Sequence, residues 1–328
     1  MKNLLIFEAS LERLNTRFAS YDGLNLLAFT KDGTIRNGDV EIKGKAMFDL
    51  PIHASWLSFE GPRELLPTFC SLQVKSQALE FVQTASAGLD NVFFKQLAKK
   101  PIQLCNSDAQ ALSIAEYVVS SLLFRLQRVD QRLALQRNNE WKEFVFRELA
   151  ECHCLVLGYG NIGSRIADRL RAFESKVSVI RRQAAEIEGI AKTGTVADLP
   201  DMLGDVDVVI AAAALNDDTD QLFDRAMFQR FKPGTIFINI ARGSMVDETA
   251  LSEALDNGQV SYAVLDVFQQ EPLPAEHRFW DDERILISAH ASNAGSGRER
   301  RGDELFFENL DNYLNGTKMR NLVDLASI

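Results

Sequence analysis

Cys152-His153-Cys154-Leu155-Val156-Leu157 runs straight into Gly158-Tyr159-Gly160-Asn161-Ile162-Gly163, and the reading of these twelve residues decides the fold. The first six form an apolar run of the kind that fills a strand buried on both faces. Ile162, Ile166 and Leu170 then recur every four residues, with Arg165, Asp168 and Arg169 between them, which is the pattern of an amphipathic helix. A Gly-x-Gly-x-x-Gly spacing recurs by chance in many chains, so the strand before it and the helix after it are what give it meaning. In that setting Gly158 permits the tight turn, Gly160 lets backbone approach a diphosphate, and Gly163 lets helix and strand pack closely. The helix start adds unpaired N–H groups and a positive dipole end. A dinucleotide held along Gly158, Tyr159, Gly160, Asn161, Ile162 and Gly163 is the expectation.

Outward from this loop the same rhythm continues. Apolar runs recur at Val177–Ile180, Val206–Ala214, Thr235–Ala241, Tyr262–Phe268 and Ile285–Ser288. Helices are expected over Thr219–Phe231 and Asp247–Asn257, the second opened by a capping box from Ser244 to Asp247. Strands alternating with helices specify a doubly wound α/β sheet. Upstream, Leu4–Phe7, Leu24–Phe29, His53–Phe59 and Leu79–Thr84 read as strands, Arg63–Cys70 as a helix, and Lys31–Lys45 as loop or hairpin. Ile114, Val118, Leu122 and Leu126 predict one long helix over Ala109–Leu135, and a last helix is expected over Gly297–Asn315. That last helix follows the second sheet and is expected to pack back on the first half.

The 328 residues carry 36 Lys+Arg against 46 Asp+Glu, a net charge of −10 at pH 7. The length suits two domains. The acidic surplus argues against sequence-independent nucleic-acid binding and against a polybasic membrane anchor. The longest apolar run, Val208–Leu215, is far below a membrane span, and Leu4–Phe7 is too short for a signal-peptide core, so a cytoplasmic location is expected. Four cysteines make no disulfide framework. Cys152, His153 and Cys154 alternate across a strand and cannot converge on a metal, so no metal site is expected and the thiols are read as core.

Two further stretches carry chemistry. The strand ending at Ile180 is followed by Arg181 and Arg182, with no acid before Glu186; Arg181 stands 23 positions beyond Gly158. An NAD-preferring site has an acid there for the ribose hydroxyls, whereas two guanidiniums suit a 2′-phosphate, so NADP is the preferred cofactor and NAD the possible one. In open α/β sheets, ligands bind beyond the carboxyl ends of strands. Arg242 follows Thr235–Ala241, Asp266 and Glu271 follow the Tyr262 strand, and His290 follows Ile285–Ser288. One cation, two acids and an imidazole therefore sit on the side where the nicotinamide would lie.

Ile238-Asn239-Ile240-Ala241-Arg242-Gly243-Ser244-Met245-Val246-Asp247-Glu248 resembles a hallmark of the D-isomer-specific 2-hydroxyacid dehydrogenases. So do Leu265-Asp266-Val267-Phe268-Gln269-Gln270-Glu271-Pro272-Leu273-Pro274 and the His290 segment. Phe81-Val82-Gln83-Thr84-Ala85-Ser86-Ala87-Gly88-Leu89-Asp90 resembles the family's substrate loop, and Ser113-Ile114-Ala115-Glu116-Tyr117 the start of its inter-domain helix. The match runs over about residues 75–310 in consistent order.

The resemblance implies a Rossmann cofactor domain over 106–291, inserted into a flavodoxin-like substrate domain made of 1–105 plus 292–328. It implies reduction of a small 2-oxo acid to the D-2-hydroxy acid, as in glyoxylate/hydroxypyruvate reductases. Arg242 would pair with the carboxylate and carbonyl, and His290 would give its proton to the carbonyl oxygen as hydride arrives. Glu271 would hold the imidazole and favour its charged form. Backbone N–H groups of Ala87 and Gly88 would bind the carboxylate, Asp266 the nicotinamide carboxamide, and Ala241 would join the cofactor contacts. The segment Ala109–Leu135 and on to Trp141 resembles the family's subunit-contact region, implying a homodimer.

Departures are Ala289 where the family usually has Pro, Ala214 likewise, and Ser86 where Gly is usual. The alternative function is a cofactor-sensing binding protein of the corepressor type on the same fold. A formate dehydrogenase reading is disfavoured by Glu271, since that activity implies an amide there. Trp56 is left open between pocket wall and core.

Overall fold

The computed structural model describes residues 1–328, the side chain of residue 327 apart, and the chain divides into two compact units: Met1–Ala109 with Gly297–Ile328, and Gln110–Ser296. The expected divisions at 105/106 and 291/292 fall four and five residues before these.

The first unit is built on β1 (Lys2–Phe7), β2 (Leu24–Phe29), β3 (Ile35–Asn37), β4 (Val40–Ile42), β5 (Ala54–Leu57), β6 (Phe81–Thr84) and β7 (Gln103–Cys105), with α1 (Glu8–Phe18), α2 (Leu66–Lys75) and α3 (Val92–Leu97). Its sheet order is β4-β3-β2-β1-β5-β6-β7. The five parallel strands follow the flavodoxin-like 2-1-3-4-5 order. The Lys31–Lys45 stretch supplies the antiparallel hairpin β3–β4 at one edge.

The second unit holds α4 (Ala111–Leu126), α5 (Val129–Arg137), β8 (His153–Leu157), α6 (Asn161–Ala172), β9 (Lys176–Ile180), β10 (Lys192–Gly194), α7 (Leu199–Met202), β11 (Val208–Ala211), α8 (Arg225–Phe228), β12 (Thr235–Asn239), α9 (Glu248–Asp256), β13 (Val260–Leu265) and β14 (Ile285–Ile287). Its seven strands are all parallel in the order β10-β9-β8-β11-β12-β13-β14, the 3-2-1-4-5-6 Rossmann arrangement with one more strand. Alternation along β8 sends Leu155 and Leu157 into one apolar layer and Cys154 and Val156 into the other. Burial on both faces explains why these strands read as nearly continuous apolar runs. Cys152 and Cys154 lie in the same layer, and burial pushes both thiols up. His153 stands on the opposite side, with Nε2 2.8 Å from Ser178 Oγ.

The last helix, α10 (Arg298–Asn315), belongs to the first unit. Phe306 stacks on Trp56 at 5.0 Å, and Asn309, fully buried, donates to Gln83 Oε1 at 2.8 Å. Trp56 is 2% exposed and is therefore core. Gln83 in turn donates to the carbonyls of Thr84, Cys105 and Asn106, tying α10 to the ends of β6 and β7.

Three local expectations are corrected. The helix over Ala109–Leu135 is two helices, because Arg128 is left-handed (φ 54°) between α4 and α5. The four-residue apolar period ends at Leu126. Nothing in α5 is buried, and the Arg128 and Arg132 guanidiniums instead lie over Phe144 at 5.1 and 4.8 Å. The helix over Thr219–Phe231 shrinks to α8. Thr219 Oγ1 is spent on the Ala214 carbonyl, and Phe223 is zipped by backbone hydrogen bonds to Met245 and Asp247. The box at Ser244 does not form: Asp247 itself caps α9, accepting from the N–H groups of Thr249 and Ala250 at 2.9 and 3.1 Å. Several strand limits are also shorter by one to three residues than the apolar runs around them.

Candidate active site

In the second unit, pairing aligns Leu157 with Ile180 and Ala211, Ala211 with Asn239, Asn239 with Leu265, and Leu265 with Ile287. The next residue of each strand therefore leaves the sheet on one edge, and those residues include Gly158, Arg181, Asp266 and Ser288.

At the glycine loop every glycine has a distinct physical reason. Gly158 has φ +97°, and a Cβ there would sit 2.6 Å from Ala213 Cα. A Cβ on Gly163 would lie 1.8 Å from the Gly158 carbonyl oxygen, so only hydrogen permits α6 to start this close to β8. Gly160, the N-cap, is exposed and a Cβ would meet nothing within 4 Å. Open space at that position beside the N–H groups of the α6 start fits a diphosphate. Tyr159 and Ile162 are half-buried and Asn161 is exposed. Arg181 is tied by its N–H to the Gly194 carbonyl, and Arg182 is exposed. Neither guanidinium has an acidic partner among the described residues.

Arg242 and Glu271 are set by a tight contact between two loops. A Cβ on Gly243 would lie 1.9 Å from the backbone carbon of Phe268, so the Arg242 turn rests directly on the segment leading to Glu271. Asn239, 1% exposed at the end of β12, braces that turn: its side chain donates to the Arg242 carbonyl at 2.9 Å and accepts from Ala241 N–H at 3.0 Å. Arg242 Nη1 donates to the Ala241 carbonyl at 2.6 Å. Glu271 Oε1 accepts from Phe268 N–H at 3.0 Å, while Oε2 lies 2.9 Å from His290 Nδ1. A carboxylate accepts only, so Nδ1 carries the proton of this bond, which Nε2 does not share. His290 is 45% exposed and Glu271 37%.

The remaining histidines have structural partners. His53 Nδ1 accepts from Asn3 N–H at 3.0 Å, His153 bonds Ser178, and His277 Nδ1 accepts from Phe279 N–H at 3.3 Å. Asp266 is 1% exposed, and its carboxylate accepts from the loop that carries His290. Ala87 and Gly88 lie in the first unit. Their loop is pinned through its carbonyls, Ser86 by Ser107 N–H at 3.0 Å and Ala87 by the Asn106 side chain at 3.0 Å. Sequence reasoning missed Asn239 as a brace. Its signal was a lone polar residue between Ile238 and Ile240 in the otherwise apolar run Ile236–Ala241.

Gly163→Ala forces α6 away from β8. It should weaken binding of NAD(P)H at least about tenfold, as read by nucleotide fluorescence titration; an unchanged Kd would remove the loop from the binding site.

A sequence model of the D-isomer specific 2-hydroxyacid dehydrogenase NAD binding domain matches residues 119–292. The chain is 29% identical over 219 residues to glyoxylate/hydroxypyruvate reductase A of Serratia proteamaculans, covering 65% of this chain and 70% of that protein. It is 26% identical over 257 residues to D-3-phosphoglycerate dehydrogenase of Archaeoglobus fulgidus, covering 76% of this chain and 48% of that protein. The chain thus spans about half the length of the phosphoglycerate dehydrogenases it matches. The solved structure of a D-isomer specific 2-hydroxyacid dehydrogenase family protein from Aeromonas salmonicida superposes with a TM-score of 0.79 at 26% identity over 99% of both chains. The family model covers more than half of the chain, and this chain belongs to the D-isomer-specific 2-hydroxyacid dehydrogenase family.

Proposed function

We propose that this protein reduces a small 2-oxo acid to the D-2-hydroxy acid with NADPH, in the manner of glyoxylate/hydroxypyruvate reductases. The observation that carries the reading is the 2.9 Å pairing of His290 with Glu271 beside the braced Arg242 turn. When bound, the nicotinamide supplies the hydride. Arg242 offers a planar fork of donors to the substrate carboxylate and carbonyl, which orients the carbon to be attacked. Ala87 and Gly88 are the proposed backbone donors to the carboxylate. His290 Nε2 delivers a proton to the carbonyl oxygen as the alkoxide develops, and Glu271 holds the ring and balances the imidazolium charge. In the reverse direction the neutral imidazole takes the hydroxyl proton back.

NADPH is favoured by Arg181 and Arg182. They follow Ile180 on the strand edge beside Gly158, where two cations suit a 2′-phosphate and no acid is present to bind free ribose hydroxyls. A small 2-oxo acid is thus the proposed partner. Among the described residues no helix is long and apolar enough to cross a membrane. We also propose a homodimer through the segment after α5. Trp141 is fully exposed and Val145 is 91% exposed there, with Phe146 alongside. Light scattering at micromolar concentration should give about twice the 36.7 kDa chain mass, and a monomer mass would refute it.

The direct test is a panel of glyoxylate, hydroxypyruvate, pyruvate, phenylpyruvate and 2-ketoisocaproate with each nicotinamide cofactor, followed at 340 nm. At least one acid should be reduced, with kcat/KM for NADPH about tenfold or more above NADH. His290→Ala and Arg242→Ala should each lower turnover at least about 100-fold. Wild-type rates in either variant would sink the assignment, and tight NADPH binding without turnover of any acid would favour the cofactor-sensing alternative.

A further inference from the structure

Asp266 is buried to 1% exposure at the end of β13, and the partners of its carboxylate all come from one loop. Oδ1 accepts from Ser288 Oγ at 2.6 Å, from Ala291 N–H at 2.8 Å and from Ser292 N–H at 3.0 Å. Oδ2 accepts from Ser292 Oγ. The backbone joins in: His290 N–H donates to the Asp266 carbonyl at 2.8 Å, and Asp266 N–H donates to the Asn239 carbonyl at 3.0 Å. Every residue from Ser288 to Ser292 except Ala289 is thereby fastened to Asp266.

Two physical points give this clamp its meaning. His290 has φ +52°, a left-handed backbone that a residue with a Cβ holds only when its surroundings over-determine it. Ala289 before it has no ring to restrain its own backbone, so the restraint comes from hydrogen bonds on either side. Further, a buried carboxylate is costly unless compensated, and Asp266 has no cationic partner among the described residues. The donors of the loop are its compensation, so a loop that swung away would strand a buried charge. Each therefore holds the other in place.

We propose that Asp266 is the positioning residue of His290, fixing the loop Ser288–Ser292 so that the imidazole meets Glu271 and the substrate in one geometry. Acceptance of a nicotinamide carboxamide at the remaining capacity of Oδ2 would be secondary to this. The inference rests on the reading of His290 as the proton donor.

The test uses the full chain, NADPH and the 2-oxo acid with the highest kcat/KM in the panel above. Asp266→Ala should lower kcat about 30-fold or more through misplacement of the imidazole. KM for the acid should stay within about threefold of wild type, since its carboxylate is bound elsewhere, and any rise in the NADPH Kd should stay below the fall in kcat. Asp266→Asn keeps the Oδ1 acceptor and should recover most of that loss. Ser292→Ala should lower kcat on its own but add nothing in the Asp266→Ala background, because the two share one interaction. This coupling and the split between kcat and KM would not arise from general destabilisation. If Asp266→Ala does not fold, Ser288→Ala, Ser292→Ala and Asp266→Asn carry the same comparison.

Unchanged kcat in these variants, with His290→Ala still inactive, overturns the inference alone. A tenfold rise in the NADPH Kd with Ser292→Ala silent also overturns it and returns Asp266 to the cofactor. Wild-type turnover by His290→Ala overturns both the inference and the reading beneath it.

Discussion

Because β8, β9, β11, β12, β13 and β14 run parallel and in register, the residue after each strand emerges on a single edge of the sheet. That constraint does the gathering. Glycines, arginines, an aspartate and the loops to Glu271 and His290 are far apart in the chain, yet the sheet delivers them to one side of one unit. Fine placement is then local. Gly163 lets α6 begin against β8, and Gly243 lets the Arg242 turn rest on Phe268, each where a single methyl group would collide with backbone. Asn239 and Asp266 stand next to one another on the edge; Asn239 braces the turn that follows its own strand, and Asp266 the loop that follows the neighbouring β14.

Electrostatics follows the same division between body and edge. The chain carries a net charge of −10, yet its proposed ligands, a dinucleotide and a carboxylate, are anions. The N–H groups of the α6 start, Arg181, Arg182 and Arg242 are the positive groups on this edge of an acidic molecule. On the body of the molecule Arg13 is committed to Glu60 and Asp303, and Arg284 to Asp256 and Asp282. Net charge thus describes the solvated surface, and the site is built from its exceptions.

Much of this was legible in the sequence because it depends on repetition and chemistry. Buried parallel strands read as apolar runs, the glycine spacing announces the turn, and reactive residues fall after strand ends. What escaped depends on contacts no period reports. Gln127-Arg128 contains no glycine or proline, so the left-handed break at Arg128 has no local signature and follows from the end of the apolar face at Leu126. Thr219–Phe231 has helical composition, yet pairing of Phe223 with the Met245–Asp247 segment overrides it. Ser244 looked like a cap because of its spacing, whereas Asp247 reaches the N–H groups first. Trp56 is core because Phe306 stacks on it from a helix 250 residues later, a contact that no local pattern announces.

In the proposed reaction Glu271 acts only through His290. A double-mutant cycle on turnover with saturating NADPH reads this coupling directly. Glu271→Gln alone should slow turnover about tenfold or more, while in a His290→Ala background it should change nothing further. Independent, multiplicative losses would contradict the account, because two side chains that share one proton donor cannot fail separately.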